Sequence, residues 1–282
     1  MNYSLSPREF ALWRKYIEEH CGIELGEEKA YFIESRLSGL LENYSLGSYA
    51  ELFYKAYSRK DAIFTRQVLD AITTNETFWF RDKTPWYTME DLLLPQYIKE
   101  MQEGRRINVR IWSCACSSGQ EPYSIAMSID RFLKKNGPGN IGLDRFQIMA
   151  TDLSGSILDI AKSGRYDSVS MERGLDPAMI DRYFTKEGNR WSISERIKRA
   201  VDFRQFNLKT EPIHSQYYDV IFCRNVFIYF SELAKENILH KIVNALKPQG
   251  VLFIGASEII KDASGSLEMD TYKDGVYFRL KG

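Results

Sequence analysis

The sequence carries no net charge: 38 lysines and arginines balance 38 aspartates and glutamates over 282 residues. No overall field draws nucleic acid or an anionic membrane to the chain. Its three histidines, His20, His214 and His240, are scattered, so neither a Ser/His/Asp or Cys/His arrangement nor a metal site can be read from the sequence. The four cysteines, Cys21, Cys114, Cys116 and Cys223, form no CxxC pair, and three lie in or beside apolar runs. They read as reduced core thiols of a cytosolic protein, which argues against a disulfide framework or a zinc centre. No apolar run approaches about 18 residues, which excludes a membrane-spanning helix. The start, MNYSLSPREF, lacks the basic and apolar regions of a signal peptide. A cytoplasmic protein with one large domain and one smaller one is expected.

What is present centres on Val109 to Ser124, VRIWSCACSSGQEPYS. Val109, Ile111 and Trp112 read as a buried strand, Ser113 to Gly119 have little side-chain bulk, and Pro122 sits in a first helical turn. A strand, a tight turn and a helix follow one another, so a ligand could approach the backbone near Gly119 and meet the unpaired N–H groups of the helix start. A second apolar strand, Phe146 to Ala150, ends in Thr151-Asp152, where a carboxylate can accept hydrogen bonds from ribose hydroxyls. The turn is not GxGxxG, and Glu121 stands where a pyrophosphate would be repelled. A nucleoside ligand with a positive charge and no phosphate fits, and S-adenosylmethionine is one.

Residues 1 to about 71 read as helices only: one opened by Ser6-Pro7 and closed at Cys21-Gly22, one from about Glu27 to Asn43, one from Ser48, and one from Lys60 to Ala71. Ile72 to Asp82, ITTNETFWFRD, fits neither a helix nor a strand template and combines three aromatics with polar residues. It reads either as a linker with aromatic packing or as a loop that aims polar groups inward. From 72 to 282, strands alternate with helices, implying a mainly parallel, doubly wound sheet. Gly119, Asp152, Asn207 and Asn225 all fall at strand ends, where the ligand crevice of such a sheet lies. An excess of short elements over about 170–203 suggests a small antiparallel β-subdomain grafted onto the sheet.

In order along the chain, TTNETFWFRD (Thr73 to Asp82), WSCACSSGQEPYS (Trp112 to Ser124), ATD (Ala150 to Asp152) and FCRNVFIYF (Phe222 to Phe230) closely resemble the CheR family of chemotaxis receptor methyltransferases. The resemblance covers essentially the whole chain. It implies an α/β fold, a Rossmann-like doubly wound methyltransferase sheet with an all-helical N-terminal domain and a β-subdomain insertion. It implies transfer of the methyl group of S-adenosylmethionine to glutamate side chains on the cytoplasmic helices of chemoreceptors, giving glutamyl methyl esters and S-adenosylhomocysteine. By the same resemblance, Asn75, Thr77 and Arg81 would contact the cofactor, with Arg81 also at the reaction centre. Glu121 would meet the methionine amino group, and Asp152 the ribose hydroxyls. Asn207-Leu208 and Arg224-Asn225 would flank the adenine and methionine portions, and Tyr229 would stand near the transferred methyl.

Two features depart from the family pattern. Thr185 to Trp191 (TKEGNRW) is shorter than the glycine-containing loop through which some members dock on a receptor C-terminal peptide, which points to a peptide-independent member. The family has an arginine-rich second helix that meets the acidic receptor, whereas Glu27 to Asn43 carries only Lys29 and Arg36 against four glutamates. The expected protein is a monomer recruited to receptor arrays, with no metal, no nucleic-acid partner and no insertion into the membrane. Taken singly, Asp152 could be a helix N-cap, Arg224 and Asn225 could tie down a turn, and Tyr229 could be a core tyrosine. A methyltransferase for a different carboxylate and a regulatory S-adenosylmethionine-binding signalling module are the alternatives.

Overall fold

The computed structural model describes residues 4–58, 61–273 and 275–282. Four helices come first: α1 (Pro7–Cys21), α2 (Ala30–Asn43), α3 (Tyr49–Tyr57) and α4 (Ala62–Ile72). The Ser6 hydroxyl accepts from the Glu9 amide while the Glu9 carboxylate accepts from the Ser6 amide, so a reciprocal cap starts α1, and Gly22, at φ +79, ends it. Asp61 caps α4; Lys60, where that helix was expected to begin, lies outside the described residues. The second helix starts three residues later than its apolar spacing suggests, because Gly26 to Lys29 form a turn closed by the Lys29 amide on the Gly26 carbonyl. Trp13, Ile17, Ile33, Leu37, Leu52 and Phe64 meet in one core shared by the four helices.

α5 (Thr84–Thr88) continues through a wider π-helical turn, Met89–Leu93, into α6 (Leu94–Gln102). Then come β1 (Val109–Cys114), α7 (Gln120–Asn136), β2 (Phe146–Asp152) and α8 (Gly155–Ser163). β3 (Arg165–Asp167), α9 (Ser168–Glu172), α10 (Pro177–Tyr183), β4 (Phe184–Glu187), β5 (Arg190–Ile193) and α11 (Glu195–Lys198) are short. β6 (Val201–Gln205), β7 (Tyr218–Cys223), α12 (Glu232–Ala245), β8 (Leu246–Phe253), β9 (Leu267–Tyr272) and β10 (Gly275–Leu280) complete the chain. Among the described residues no helix is long and apolar enough to cross a membrane.

The main sheet has the order β6-β2-β1-β7-β8-β10-β9. Its first five strands are parallel, and β10 and β9 run antiparallel to their neighbours. All six residues of β7 are buried, as a central parallel strand covered on both faces requires. Val220 and Phe222 face the core under α5 to α7, while Ile221 and Cys223 face the core under α12. Strand order reverses between β1 and β7, which sets a crevice above their C-terminal ends.

The second sheet, β3-β5-β4, is antiparallel and spans Arg165 to Ile193. It therefore begins before the expected insertion at about 170, and Val201 to Gln205 does not belong to it. Those residues pair with β2, Ala150 opposite Phe203, as an edge of the main sheet. The start was hidden because β3 has three residues and one buried side chain, Tyr166. Between β4 and β5 the chain turns through Gly188, at φ +62, and Asn189 alone, with Glu187 facing Arg190.

Candidate active site

Above the C-terminal ends of β1, β2, β6 and β7 lies a cavity of about 250 Å³. The loops leaving those strands supply Ala115 to Ser117, Asp152, Asn207 and Leu208, and Arg224 and Asn225. Ile23, Leu25 and Phe32 of the helical domain close one side, and Thr73 to Thr77 another. Backbone bonds hold the two domains at this seam: Glu24 donates to the Tyr229 carbonyl at 2.8 Å, and Ser231 to the Gly22 carbonyl at 3.1 Å. The Asn207 side-chain amide donates to the His20 carbonyl at 2.8 Å and accepts from the Lys209 amide at 3.0 Å, so it serves the seam while its residue lines the cavity.

The turn after β1 is left-handed at Ala115 (φ +52), Ser117 (φ +51) and Gly119 (φ +92). Two non-glycine residues in that region within three positions store backbone strain of the kind that gathers at functional sites. The Ser117 amide donates to Asp152 Oδ2 at 2.8 Å and the Cys116 amide to the Thr151 carbonyl at 2.8 Å, which over-determine the turn. Gly119 requires a correction, because it is not among the residues that line the cavity. A Cβ there would lie 3.0 Å from the Ala161 Cβ and 3.3 Å from the Phe203 ring, so the glycine serves close packing of α7 against α8 and β6. The turn meets the cavity two to four residues earlier, at Ala115 to Ser117.

Asp152 is 7 % exposed, and its other oxygen accepts from the Ser154 amide at 3.0 Å. Burial raises its carboxyl above the ordinary value; amides of Ser154, Ser117 and Leu153 pull it down, and the charge of Asp70 adds to the rise. The cap of α8 is Ser154, so the alternative role for Asp152 as that helix's N-cap does not hold. Glu121 accepts from Ser113 Oγ at 2.7 Å and from Arg224 Nη1 at 2.7 Å. Arg224 also reaches the Arg81 carbonyl at 2.6 Å and Asp82 Oδ2 at 2.8 Å, while its Nε is buried without a partner among the described residues.

The segment from Thr73 to Asp82 enters this network while wrapped around its aromatics. Trp79 is fully buried, donates from Nε1 to the Ser170 carbonyl at 3.0 Å, and packs edge-on against Tyr166 and Phe184 of the small sheet. Phe78 lies within cation–π distance of Arg81, at 5.2 Å, and of Arg173, at 4.8 Å. Phe80 and Asp82 have positive φ, and the Arg81 side chain between them lines the cavity and donates to the Glu76 carbonyl at 3.3 Å. Both readings of this stretch are therefore realised, since its aromatics pack while Asn75, Thr77 and Arg81 line the cavity.

Tyr229 completes the wall; burial raises its hydroxyl above the ordinary value and the neighbouring Arg81 cation opposes the rise. The buried Cys116 thiol is also pushed up, chiefly by burial and then by the Asp152 and Glu121 charges, so it forms a neutral part of the wall. Sequence reasoning missed Glu258. Its carboxylate is buried and accepts from the Asn225 and Gly255 amides, each at 2.7 Å, which holds the left-handed Asn225 at the cavity. The available signal was weaker than for Asp152, which ends β2: Glu258 lies five residues beyond the end of β8, on the loop that leaves a parallel strand.

These residues fit S-adenosylmethionine. Asp152 stands where ribose hydroxyls need an acceptor and Glu121 where a dinucleotide's pyrophosphate would need donors, which suits a ligand with hydroxyls and an amino group, and Ile23, Phe206 and Leu208 provide apolar walls for a planar base. A doubly wound sheet carrying such a site defines the S-adenosylmethionine-dependent methyltransferases. Two family models refine this, one described as "CheR methyltransferase, SAM binding domain" over residues 75–275 and one as "CheR methyltransferase, all-alpha domain" over residues 8–73. The chain belongs to the CheR methyltransferase family, and its cofactor is S-adenosylmethionine.

Among its relatives, "Chemotaxis protein methyltransferase 1" of Pseudomonas aeruginosa is 43% identical over 280 residues, 99% of this chain and 100% of the relative. "Chemotaxis protein methyltransferase Cher2" of Pseudomonas putida is 42% identical over 275 residues, 97% of this chain and 98% of the relative. "Chemotaxis protein methyltransferase 1" of Vibrio cholerae is 38% identical over 279 residues, 99% of this chain and 98% of the relative.

Proposed function

We propose that this methyltransferase modifies glutamate side chains on the cytoplasmic helical methylation region of chemoreceptors, forming glutamyl methyl esters for sensory adaptation. The reading is carried by one observation: Arg81 and Tyr229 line the same cavity as Asp152 and Glu121. Asp152 would hold the ribose hydroxyls and Glu121 the amino group, with Asn75, Thr77, Asn207, Leu208, Arg224 and Asn225 around the remainder. Bound there, S-adenosylmethionine supplies a methyl carbon activated by a sulfonium. A glutamate is already ionised at neutral pH, so the chain needs to supply no strong base.

What Arg81 contributes is orientation of the incoming carboxylate by charge-assisted hydrogen bonds, with Phe78 and the Glu76 carbonyl limiting the freedom of the guanidinium. Tyr229, kept protonated, is a hydroxyl donor at the same mouth. The helical domain shuts water out of one side, which strengthens both interactions. The two-residue turn between β4 and β5 supports action without a receptor docking peptide, and a monomer recruited to receptor arrays completes the reading.

Labelled S-adenosylmethionine and receptor cytoplasmic fragments test it. Alkali-labile label released as methanol is expected, at the same rate with and without the receptor's C-terminal peptide. Base-stable label, or none, would overturn the carboxylate assignment.

A further inference from the structure

Beside the cavity mouth a second depression of about 460 Å³ runs between the start of α12 and the segment after β8. Ile228 lines both hollows, so the two adjoin across its side chain. Ile228 is 54 % exposed and Ile259, on the opposite rim, 86 %. A single exposed isoleucine is ordinary, but two lining one groove beside the cavity mouth leave apolar surface for a partner to cover. Phe227 and Leu239 give the groove an apolar floor, while Glu232, Lys235, Glu236 and Lys261 place both signs of charge on its walls. Such a lining does not attract a polyanion and matches the face of an amphipathic helix.

Glu258 connects the two hollows mechanically. It lines the groove, and its Oε1 accepts from the Ile228 amide at 3.4 Å while Oε2 accepts from the Asn225 and Gly255 amides. One buried carboxylate thus fixes the rim of the groove and the cofactor-side loop in a single arrangement.

We infer that the groove between Ile228 and Ile259 seats the apolar face of the substrate helix, which turns the helix's glutamate-bearing side into the adjoining cavity. This rests on the receptor-glutamate reading above and adds the surface that selects the substrate. It also places docking outside α2, whose one basic residue, Arg36, stands against Glu34 and Glu42.

The test uses the full chain, a purified chemoreceptor cytoplasmic helical fragment, and S-adenosylhomocysteine to report the cofactor site. Ile259→Glu is expected to weaken fragment binding and raise the KM for the fragment about tenfold or more, the scale of losing one buried isoleucine. Its kcat and its S-adenosylhomocysteine affinity should be unchanged. Ile107→Glu, at an isoleucine 75 % exposed just before β1 and so at the far end of the sheet, is the control and should alter nothing. Unchanged binding and KM in Ile259→Glu would overturn the groove. If the wild type binds the fragment through Ile259 without methylating it, the groove stands and the functional reading falls. A wild type that neither binds nor methylates it overturns both.

Discussion

Arg224 and Glu121 form a buried ion pair of 2.7 Å across the crevice, with the Arg224 side chain 1 % exposed and that of Glu121 12 %. The same guanidinium holds Asp82 and the Arg81 carbonyl, so the end of β7, the start of α7 and the reaction segment meet at one group. Removing one partner of such a pair strands the other charge away from water. Arg224→Met is expected to cost about 3–5 kcal/mol in denaturant unfolding and to weaken S-adenosylhomocysteine binding in calorimetry. Arg224→Lys, which keeps the charge but loses the fork, should fall between it and the wild type.

Arg81→Ala removes an orienting donor and leaves the backbone carbonyl to which Arg224 is bound. A fall in kcat on the order of 10²-fold is expected, read by methyl transfer to receptor fragments, with a much smaller loss of S-adenosylhomocysteine affinity. Equal losses in both would make Arg81 a cofactor ligand alone.

Asp152 sets a pH dependence. In the proposed complex its ionised form accepts from the ribose hydroxyls, and burial raises its pKa, so protonation on acidification begins at a higher pH than for an ordinary carboxyl. Affinity for S-adenosylhomocysteine should be full above that raised value and fall by about tenfold per pH unit below it. Calorimetry across a pH series should show this limb in the wild type and lose it in Asp152→Asn, whose affinity is low throughout.

Gly174 has φ +94, and a Cβ there would lie 1.8 Å from the Trp79 carbonyl oxygen. Gly174→Ala should destabilise by on the order of 3 kcal/mol and reduce methyl transfer by displacing the segment that carries Arg81. Gly188, at φ +62 with nothing within 4 Å, isolates the backbone contribution. Gly188→Ala should cost only about 1 kcal/mol and leave transfer intact; thermal denaturation and the fragment assay read both variants.

Much of this architecture was visible in the residues because the signals were local. Val220 to Cys223 is apolar without interruption, as a strand covered on both faces must be, and Ser6-Pro7 with Glu9 announces a helix start. β9 went unread although Leu267-Glu268-Met269-Asp270 alternate, because at the edge of the sheet its apolar members bury little surface, Met269 being 63% exposed, and mark no core face. The cavity was only half legible. Asp152, Asn207 and Asn225 could be located because strand ends converge in a parallel sheet, whereas Ile23, Leu25 and Phe32 arrive from a separate helical core. Nothing in their own spacing says which surface they will face. Gly119 illustrates the converse error, in which a glycine at a ligand-binding turn is there for its neighbours' side chains.

The burial of Trp79 in the small β3-β5-β4 sheet makes that sheet an anchor for chemistry occurring elsewhere. Only Phe80 separates the indole from Arg81 in sequence, so the two cannot shift independently by more than the slack of a peptide unit. A chimera that exchanged residues 165–193 for the corresponding module of another methyltransferase would thus inherit a foreign socket for its own tryptophan. Transplanting the module alone should leave the reaction segment misaligned, and restoring function would require grafting residues 73–82 along with it.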